Sequence, residues 1–253
     1  MIKHFSIILC AVLLSLISLS FVVQYPAVSV PITAKAISAK AADPLPMPSP
    51  MPSPTPVLKS VYDSLNLDDK GLSREAFEYA TIGFDILQQQ GKLKNESLIT
   101  IADFSIASNK KRLFVIDLEE FRVLYHTFVS HGRNTGREMA TSFSNISESF
   151  QSSPGFYVTT QTYQGKNGYS LKLQGMERGI NDKALDRGIV MHGAPYVSQA
   201  IANAQGYVGR SQGCPAVPQE LARPIINTIR NGSCLFIYHP SYVKKSSLLR
   251  GNI

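Results

Sequence analysis

Two residues near the C-terminal end of the chain, Cys214 and His192, have the side chains needed for nucleophilic catalysis. A free cysteine has a pKa of about 8.5, so at neutral pH most of it is the weakly nucleophilic thiol. A neighbouring histidine can accept the thiol proton and hold the resulting ion pair. We therefore predict that Cys214 is a thiolate nucleophile and that His192 is its base.

The residues around Cys214 favour a shaped loop suited to acyl transfer. Residues 209–216 read G-R-S-Q-G-C-P-A, and the two glycines give backbone freedom just before the thiol. Backbone N–H groups at Gly213 and Cys214 are candidate donors to the oxyanion of a tetrahedral intermediate, and one such donor contributes about 3–4 kcal/mol. A side chain at Gly213 would crowd the substrate carbonyl.

The elements that must position these residues are predicted to be mostly β-strands. From residue 98 onward the pattern is strand-like, and it predicts strands at 98–104, 112–118, 123–129, 155–162, 170–173, 188–192 and 234–238. One of these strands ends at His192, directly before Gly193. Cys214 lies 22 residues after His192, enough for a loop and a short helix to bring the chain back.

A further helix is predicted over 219–230, between the cysteine loop and the last strand. The sequence contains no glycine-rich phosphate loop and no alternating pattern of strands and helices. The predicted fold class is therefore mainly β with flanking helices (α+β).

The N-terminal part of the chain has the features of an export signal. Residues 1–42 contain Lys3, an almost wholly apolar run over 5–23, and A-x-A sites at 34–36 and 39–41. The apolar run is about nineteen residues long, close to the ~20 that span a bilayer, so an uncleaved membrane anchor remains the alternative. Under either interpretation we expect the rest of the chain to be exported, to the periplasm or the cell envelope.

Two further segments precede the predicted catalytic domain, which occupies residues 96–253. Residues 43–56 are rich in proline and are expected to form an extended linker. Residues 57–95 are predicted to be a helical N-terminal segment. Within it, Ser73 is a suitable N-cap for a helix, and Gly91 ends the apolar stripe of that helix.

Composition and charge narrow the possible partners. The chain is 44% hydrophobic and 17% charged, with a net charge of +7. The basic excess would suit an anionic wall or membrane surface. No basic stripe has interleaved aromatics, so nucleic acid is not an expected partner. No pair of His or Cys residues has metal-ligand spacing, so no metal or other cofactor is expected.

The three cysteines have different surroundings. Cys10 lies in the predicted signal, whereas Cys234 lies in an apolar strand and is interpreted as a buried small side chain. Cys214 alone lies in a glycine-containing loop. A disulfide between Cys214 and Cys234, without catalysis, remains an alternative in an oxidising compartment.

The residues from His192 to Ala216 resemble those of a known family. An H-G pair followed by a G-R-S-x-G-C-P-A loop is similar to a branch of the L,D-transpeptidases of bacterial cell walls, whose commoner signature is H-G and then S-H-G-C. Further similar stretches extend the resemblance over roughly residues 98–240. They lie at 114–118, 130–134, 143–145, 168–171 and 235–238.

The resemblance implies a β-sandwich-like catalytic domain and a specific reaction. The family's cysteine attacks the carbonyl of the third residue of a tetrapeptide stem, usually a diamino acid, and releases the terminal D-alanine. An amine of a second stem, or of another acceptor, then resolves the thioester. These roles fall on Cys214 as nucleophile, His192 as base and the Gly193 carbonyl as the partner of that base.

The partners that the resemblance implies are peptidoglycan stem peptides, and carbapenem-type inhibitors are expected to acylate Cys214. Contact with a membrane is expected only through the N-terminal segment, if that segment is not cleaved.

The sequence departs from the commoner family motif at two positions. Gln212 stands where that motif has a second histidine, and Ala216 stands where it has an arginine that lies near the oxyanion or the substrate carboxylate. Arg210 is the candidate replacement, because an arginine can hold a carboxylate through two parallel hydrogen bonds. The alternative is that Arg210 only pins the loop.

Two other residues are candidates for contact with the substrate. Ser211 lies in the same loop as the nucleophile. His131 follows a strand in the stretch S-H-G-R-N and is a candidate to orient the substrate or to act as a second acid. The alternative for His131 is that it fixes its loop.

Two other functions remain open at the level of sequence. An L,D-carboxypeptidase would use the same nucleophile, with water in place of the acceptor amine. A non-catalytic wall-binding module that keeps the fold is suggested by the departure at Ala216.

Overall fold

A computed structural model of the chain describes residues 61–250. The predicted signal or anchor over 1–42 and the predicted linker over 43–56 lie outside these residues. Within 61–250, no helix combines the length and the hydrophobicity that are needed to cross a membrane.

Eight β-strands in the described part of the chain form one mixed sheet. They are β1 (Leu98–Asp103), β2 (Leu113–Asp117), β3 (Arg122–Thr127), β4 (Gly155–Gly165), β5 (Gly168–Gly175), β6 (Val190–Ala194), β7 (Ala216–Pro218) and β8 (Cys234–Tyr238). Their order across the sheet is β3-β2-β1-β8-β4-β5-β6-β7. The predicted fold class, mainly β with flanking helices, is confirmed.

Four helices accompany the sheet in the described residues, besides a short helical stretch at 61–64. They are α1 (Arg74–Gln89), α2 (Gln199–Gln205), α3 (Gln219–Ile229) and α4 (Pro240–Val243). The predicted helix over 219–230 is α3, and the short helix predicted between His192 and Cys214 is α2.

Both faces of the sheet are buried, which explains the long apolar runs in its strands. Along β8, Cys234 and Phe236 face one hydrophobic core, whereas Leu235 faces the other. Helix α1 contributes to the first core and α3 to the second. The sheet is therefore held between two apolar layers.

Helix α1 shows how the N-terminal segment packs onto the sheet. The Ser73 side chain accepts a hydrogen bond from the Ala76 N–H at 3.1 Å, as its predicted N-cap role requires. Phe77 and Phe84 of this helix are buried in the same core as Phe156 of β4. The helix thus packs against the sheet.

The topology brings the histidine strand and the cysteine loop together. Strand β6 pairs in parallel with β7, and His192 is the register partner of Ala216, two residues after the cysteine. Helix α2 begins at the N-cap Ser198 and ends at Gly206, whose φ is +82°. This helix returns the chain from the end of β6 to the cysteine loop.

Candidate active site

A pocket of about 450 Å³ contains both Cys214 and His192. Among the described residues that line it, three carry positive charges and one carries a negative charge. The charged ones are Lys166, Arg187, Arg210 and Glu148, and the others are Phe150, Asn167, Gly188, Ile189, Tyr196, Ser211 and Gln212. The sheet pairing therefore brings the predicted nucleophile and base into one cavity.

His192 has a defined tautomer. Its Nδ1 lies 2.9 Å from the carbonyl oxygen of Gly193. A carbonyl can only accept a hydrogen bond, so Nδ1 carries the proton and Nε2 is left as a proton acceptor. Burial lowers the pKa of His192, and the Gly193 carbonyl partly offsets this effect. The ring is therefore neutral at pH 7 and able to act as a base.

Cys214 is 8% exposed, and its sulfur lies 3.8 Å from the carbonyl oxygen of Gly188. Burial raises the pKa of the Cys214 thiol, while the backbone of Val190 and the charge of Arg187 lower it. The balance favours the thiol. The two shifts therefore favour the neutral forms of both side chains, a thiol at Cys214 and an imidazole at His192.

The backbone before the nucleophile requires glycine. Gly213 has a φ of +122°, and a Cβ atom there would lie 2.8 Å from the carbonyl oxygen of Gln151. The Gly213 N–H donates to the Ser211 hydroxyl at 3.0 Å, and that hydroxyl donates to the Cys214 carbonyl at 2.6 Å. Ser211 therefore shapes the loop and occupies the Gly213 N–H. Of the two predicted oxyanion donors, the Cys214 N–H is the one without a hydrogen bond among the described residues.

Replacing Gly213 with alanine is expected to lower both stability and turnover. The added methyl group meets the Gln151 carbonyl, and displacing the nucleophile by about 1 Å can cost about 10²-fold in rate. Gly206→Ala is the matched control: its φ is also positive, at +82°, but a Cβ there meets nothing within 4 Å. Thermal unfolding and D-alanine release measure the two effects, and equal turnover in the two variants would contradict the expectation.

The cysteine loop is held by backbone hydrogen bonds to the segment over 130–133. The Ser211 N–H donates to the His131 carbonyl at 3.0 Å, and the Arg133 N–H donates to the Ser211 carbonyl at 2.8 Å. The Ser130 N–H donates to the Ala216 carbonyl at 2.8 Å. The segment that resembled the family sequence therefore supports the nucleophile through its main chain.

The His131 ring does not line the pocket, and its contacts favour the alternative that His131 fixes its loop. Its Nδ1 lies 2.8 Å from an amino group of Arg112, which can only donate, and its Nε2 lies 3.3 Å from the Gly136 carbonyl. Burial, together with the Arg112 charge, lowers the pKa of His131 to about 3. The ring stays neutral and fixes its loop.

Arg210 contacts two neighbouring loops from the edge of the pocket. It lies at the pocket wall, and its Nη1 donates to the carbonyl oxygens of Arg133 and Gly136, both at 3.2 Å. It therefore pins neighbouring loops, and the role of Arg210 in holding a carboxylate stays a prediction.

Arg187 and Tyr196 are among the pocket residues that were not predicted. Arg187 lies five positions before His192 and directly after Asp186, ahead of the apolar stretch over 189–191. Tyr196 lies four positions after His192, and burial raises its pKa to about 12. A Cβ at Gly209 would lie 2.5 Å from the Tyr196 side chain, which explains the glycine that opens the cysteine loop.

The two cysteines of the described region are free thiols. Cys234 is fully buried in the core beside α1, whereas Cys214 belongs to the other core. The alternative of a disulfide between them is therefore not supported.

The rate of Cys214 acylation is expected to fall on the acid side as His192 becomes protonated. Only the neutral ring can take the thiol proton, and because burial lowers the pKa of His192, the midpoint should lie below about 6.5. The measurement is the rate of imipenem adduct formation between about pH 4 and pH 8, read by intact mass. A midpoint at or above the ordinary histidine value would contradict the assignment.

The fold and the pocket define a mainly β protein with a cysteine and a histidine in one cavity. A family model described as the L,D-transpeptidase catalytic domain matches residues 68–238, more than half of the chain. The chain therefore belongs to the L,D-transpeptidase catalytic domain family, as the sequence resemblance predicted.

Solved structures of L,D-transpeptidases are also similar to the chain. An L,D-transpeptidase from Mycobacterium smegmatis is 13% identical, with a TM-score of 0.36, and the match covers 56% of this chain and 59% of that one. LD transpeptidase LdtMt1 in complex with imipenem is 15% identical, with a TM-score of 0.35 and coverages of 56% and 59%.

L,D-transpeptidase 3 from Mycobacterium tuberculosis, in complex with a faropenem-derived adduct, is 12% identical, with a TM-score of 0.36 and coverages of 56% and 60%. The chain thus spans less than two thirds of the length of each of these structures. No curated protein sequence matches the chain.

Proposed function

We propose that the protein is an exported, cysteine-dependent L,D-transpeptidase that acts on peptidoglycan tetrapeptide stems through a thioester on Cys214. The observation that carries the proposal is the shared pocket of Cys214 and His192 in a member of this family. The charged start, apolar run and A-x-A sites of the N-terminal segment support export.

The first half-reaction forms the acyl-enzyme. The Cys214 sulfur attacks the carbonyl carbon of the third stem residue, and Nε2 of His192 takes the thiol proton. The Gly193 carbonyl, which accepts from Nδ1, stabilises the imidazolium that forms. The C–N bond to D-alanine then breaks, His192 returns the proton to the leaving amine, and D-alanine departs.

The Cys214 N–H is the oxyanion donor in this scheme. Among the hydrogen bonds of residues 61–250, none uses this N–H, whereas the neighbouring Gly213 N–H is bound by Ser211. One donor of this kind contributes about 3–4 kcal/mol to the transition state.

The second half-reaction transfers the acyl group. An acceptor amine attacks the thioester carbonyl, a new amide bond forms, and the Cys214 sulfur leaves. His192 takes a proton from the amine nitrogen and returns one to the sulfur, which restores the neutral pair. If water replaces the amine, the same steps give a tripeptide, which is the carboxypeptidase reaction.

The charge of the pocket supports an anionic peptide as substrate. Lys166, Arg187 and Arg210 outnumber the single acid Glu148 along its walls. The terminal D-alanine of a stem carries a carboxylate, which these cations would attract.

The experiment that tests the function uses the full chain with disaccharide tetrapeptide as substrate. Release of D-alanine together with cross-linked dimer is the expected result. Release of D-alanine with tripeptide alone would replace the transpeptidase by a carboxypeptidase. Binding to murein without D-alanine release or thiol labelling at Cys214 would indicate a wall-binding module and overturn the proposal.

Imipenem is expected to form a covalent adduct with Cys214. The Cys214 sulfur attacks the β-lactam carbonyl in place of the stem carbonyl, and the ring C–N bond breaks. The amine released by ring opening stays attached to the acyl group, so the whole inhibitor remains bound to the enzyme as a thioester. Intact mass should rise by one inhibitor, and peptide mapping should place the adduct on residue 214. An adduct that persists in Cys214→Ala would contradict the assignment of the nucleophile.

A further inference from the structure

Arg187 makes four hydrogen bonds to a single loop beside the active site. Its Nη1 donates to the Ser144 carbonyl at 2.8 Å and to the Ser153 hydroxyl at 2.6 Å. Its Nη2 donates to the Gln151 carbonyl at 2.6 Å and to the Ser149 hydroxyl at 3.3 Å. One side chain therefore ties both ends and the middle of this loop, which we call the 144–153 loop.

The 144–153 loop has a backbone that needs such support. Glu148 and Phe150 have φ values of +58° and +55°, a region that side chains with a Cβ atom rarely adopt. Both residues line the pocket that holds Cys214. Residues in this conformation persist only where their surroundings impose it. The Arg187 guanidinium is a principal part of those surroundings.

The same guanidinium lies close to the residue that precedes Cys214, and both side chains line one pocket. Its Nη2 is 3.5 Å from the point where a Cβ atom on Gly213 would sit, one residue before Cys214. The Nε of Arg187 is buried and has no hydrogen-bond partner in the described part of the chain. Arg187 therefore keeps one buried donor that the described part of the protein does not use.

Positions 216 and 210, the other two places where a positive charge beside Cys214 could be expected, do not supply a buried cation. Ala216 stands where the commoner family motif has an arginine. It is fully buried in an apolar cluster that includes Phe128 and Val208, so no positive charge lies at this position. Arg210 is exposed to solvent, which screens its charge.

We propose that Arg187 is a positioning residue of the acyl-transfer site: it fixes the 144–153 loop over the pocket and holds a positive charge beside the Cys214 sulfur. The inference rests on the proposed function for its catalytic meaning. Its two physical consequences, the reactivity of the Cys214 thiol and the stability of the 144–153 loop, are measured without substrate. A nearby cation favours the thiolate. Burial lowers the pKa of Arg187 without removing its charge at pH 7.

Other titratable and charged groups face Cys214 from the elements around it, and they stay constant in the test. They are His192 from β6, Tyr196 after β6, Lys166 between β4 and β5, Arg210 from the cysteine loop and Glu148 from the 144–153 loop.

The electrostatic part of the proposal is tested by the pH dependence of Cys214 alkylation with iodoacetamide in the full chain, read on the peptide that contains residue 214. Arg187→Met should move the midpoint upward by about one pH unit or more, and slow alkylation near pH 7 by about ten-fold.

Arg187→Lys should keep the midpoint within a few tenths of a unit of wild type. Arg178→Met, which removes an exposed arginine from the same connecting segment, is the control and should leave the profile unchanged.

The loop part of the proposal is tested by amide hydrogen exchange. Arg187→Lys keeps the charge but cannot make all four bonds, so the amides of the 144–153 loop should exchange faster than in wild type while the alkylation midpoint stays. If Arg187→Met does not fold, Arg187→Gln serves for the alkylation measurement.

An unchanged alkylation profile in the neutral variant, or an equal shift in Arg178→Met, would overturn the electrostatic role. Unchanged loop exchange in Arg187→Lys would overturn the positioning role. Absence of D-alanine release from the wild type would overturn the proposed function instead, so the two failures are distinguishable.

Discussion

Replacing Cys214 with alanine is expected to reduce D-alanine release from disaccharide tetrapeptide by about 10³-fold or more, equivalent to at least about 4 kcal/mol of lost transition-state stabilisation. The alanine has no lone pair to attack the stem carbonyl, so the thioester route is closed. The residual rate of D-alanine release in this variant is the rate that substrate binding and the backbone oxyanion donor can support without a nucleophile. The measurement is the initial rate of D-alanine release.

Cys234→Ala is the matched control for this prediction. It also removes a free thiol, but one that is fully buried in the core beside α1 and away from the pocket. It should cost some stability through the small cavity that it creates, yet keep D-alanine release near the wild-type rate. Equal release by wild type and Cys214→Ala would refute the nucleophile.

Replacing His192 with glutamine is expected to lower the rate of D-alanine release by about 10²- to 10⁴-fold, the usual contribution of a general base. Glutamine keeps a polar side chain of similar reach but cannot take up the thiol proton. Because burial raises the pKa of Cys214, little thiolate is present at neutral pH without a base. The loss should appear in acylation by stem peptide and by imipenem alike.

His126→Gln is the control for the loss of a histidine from a strand. His126 lies in β3, where its ring stacks on Phe114 with centroids 4.4 Å apart, and it does not line the pocket. This variant should retain the wild-type acylation rate. If the two histidine variants were equally active, His192 would not be the base.

Much of the fold could be predicted because most strands carry a local strand-like pattern. These patterns marked seven strands, and each has a counterpart in the structure. Strand β7 was not predicted, because it has only three residues and ends on Pro218. A strand of that length shows no periodicity. Its place is set by pairing with β6, which is a tertiary interaction.

Residues of the candidate site could be predicted where their immediate neighbours in the sequence mark them. His192 and Cys214 each stand next to a glycine, His192 within strand β6 and Cys214 in the loop before β7. His131 had similar signals, but the sequence could not show that its ring points toward Arg112, a buried partner 19 positions away. Glu148 reaches the pocket only through the folding of a distant segment. Arg187 is close to His192 in sequence, but a lone arginine beside Asp186 does not show where its side chain points.

Peptide mapping of the acid-quenched protein during turnover of disaccharide tetrapeptide, without added acceptor, tests the central claim most directly. We expect an acyl adduct on Cys214 whose mass equals the substrate minus D-alanine, and we expect no such adduct in a sample whose Cys214 was alkylated beforehand. D-alanine release at the wild-type rate from that alkylated sample, or an acyl group on any other residue, would contradict the account.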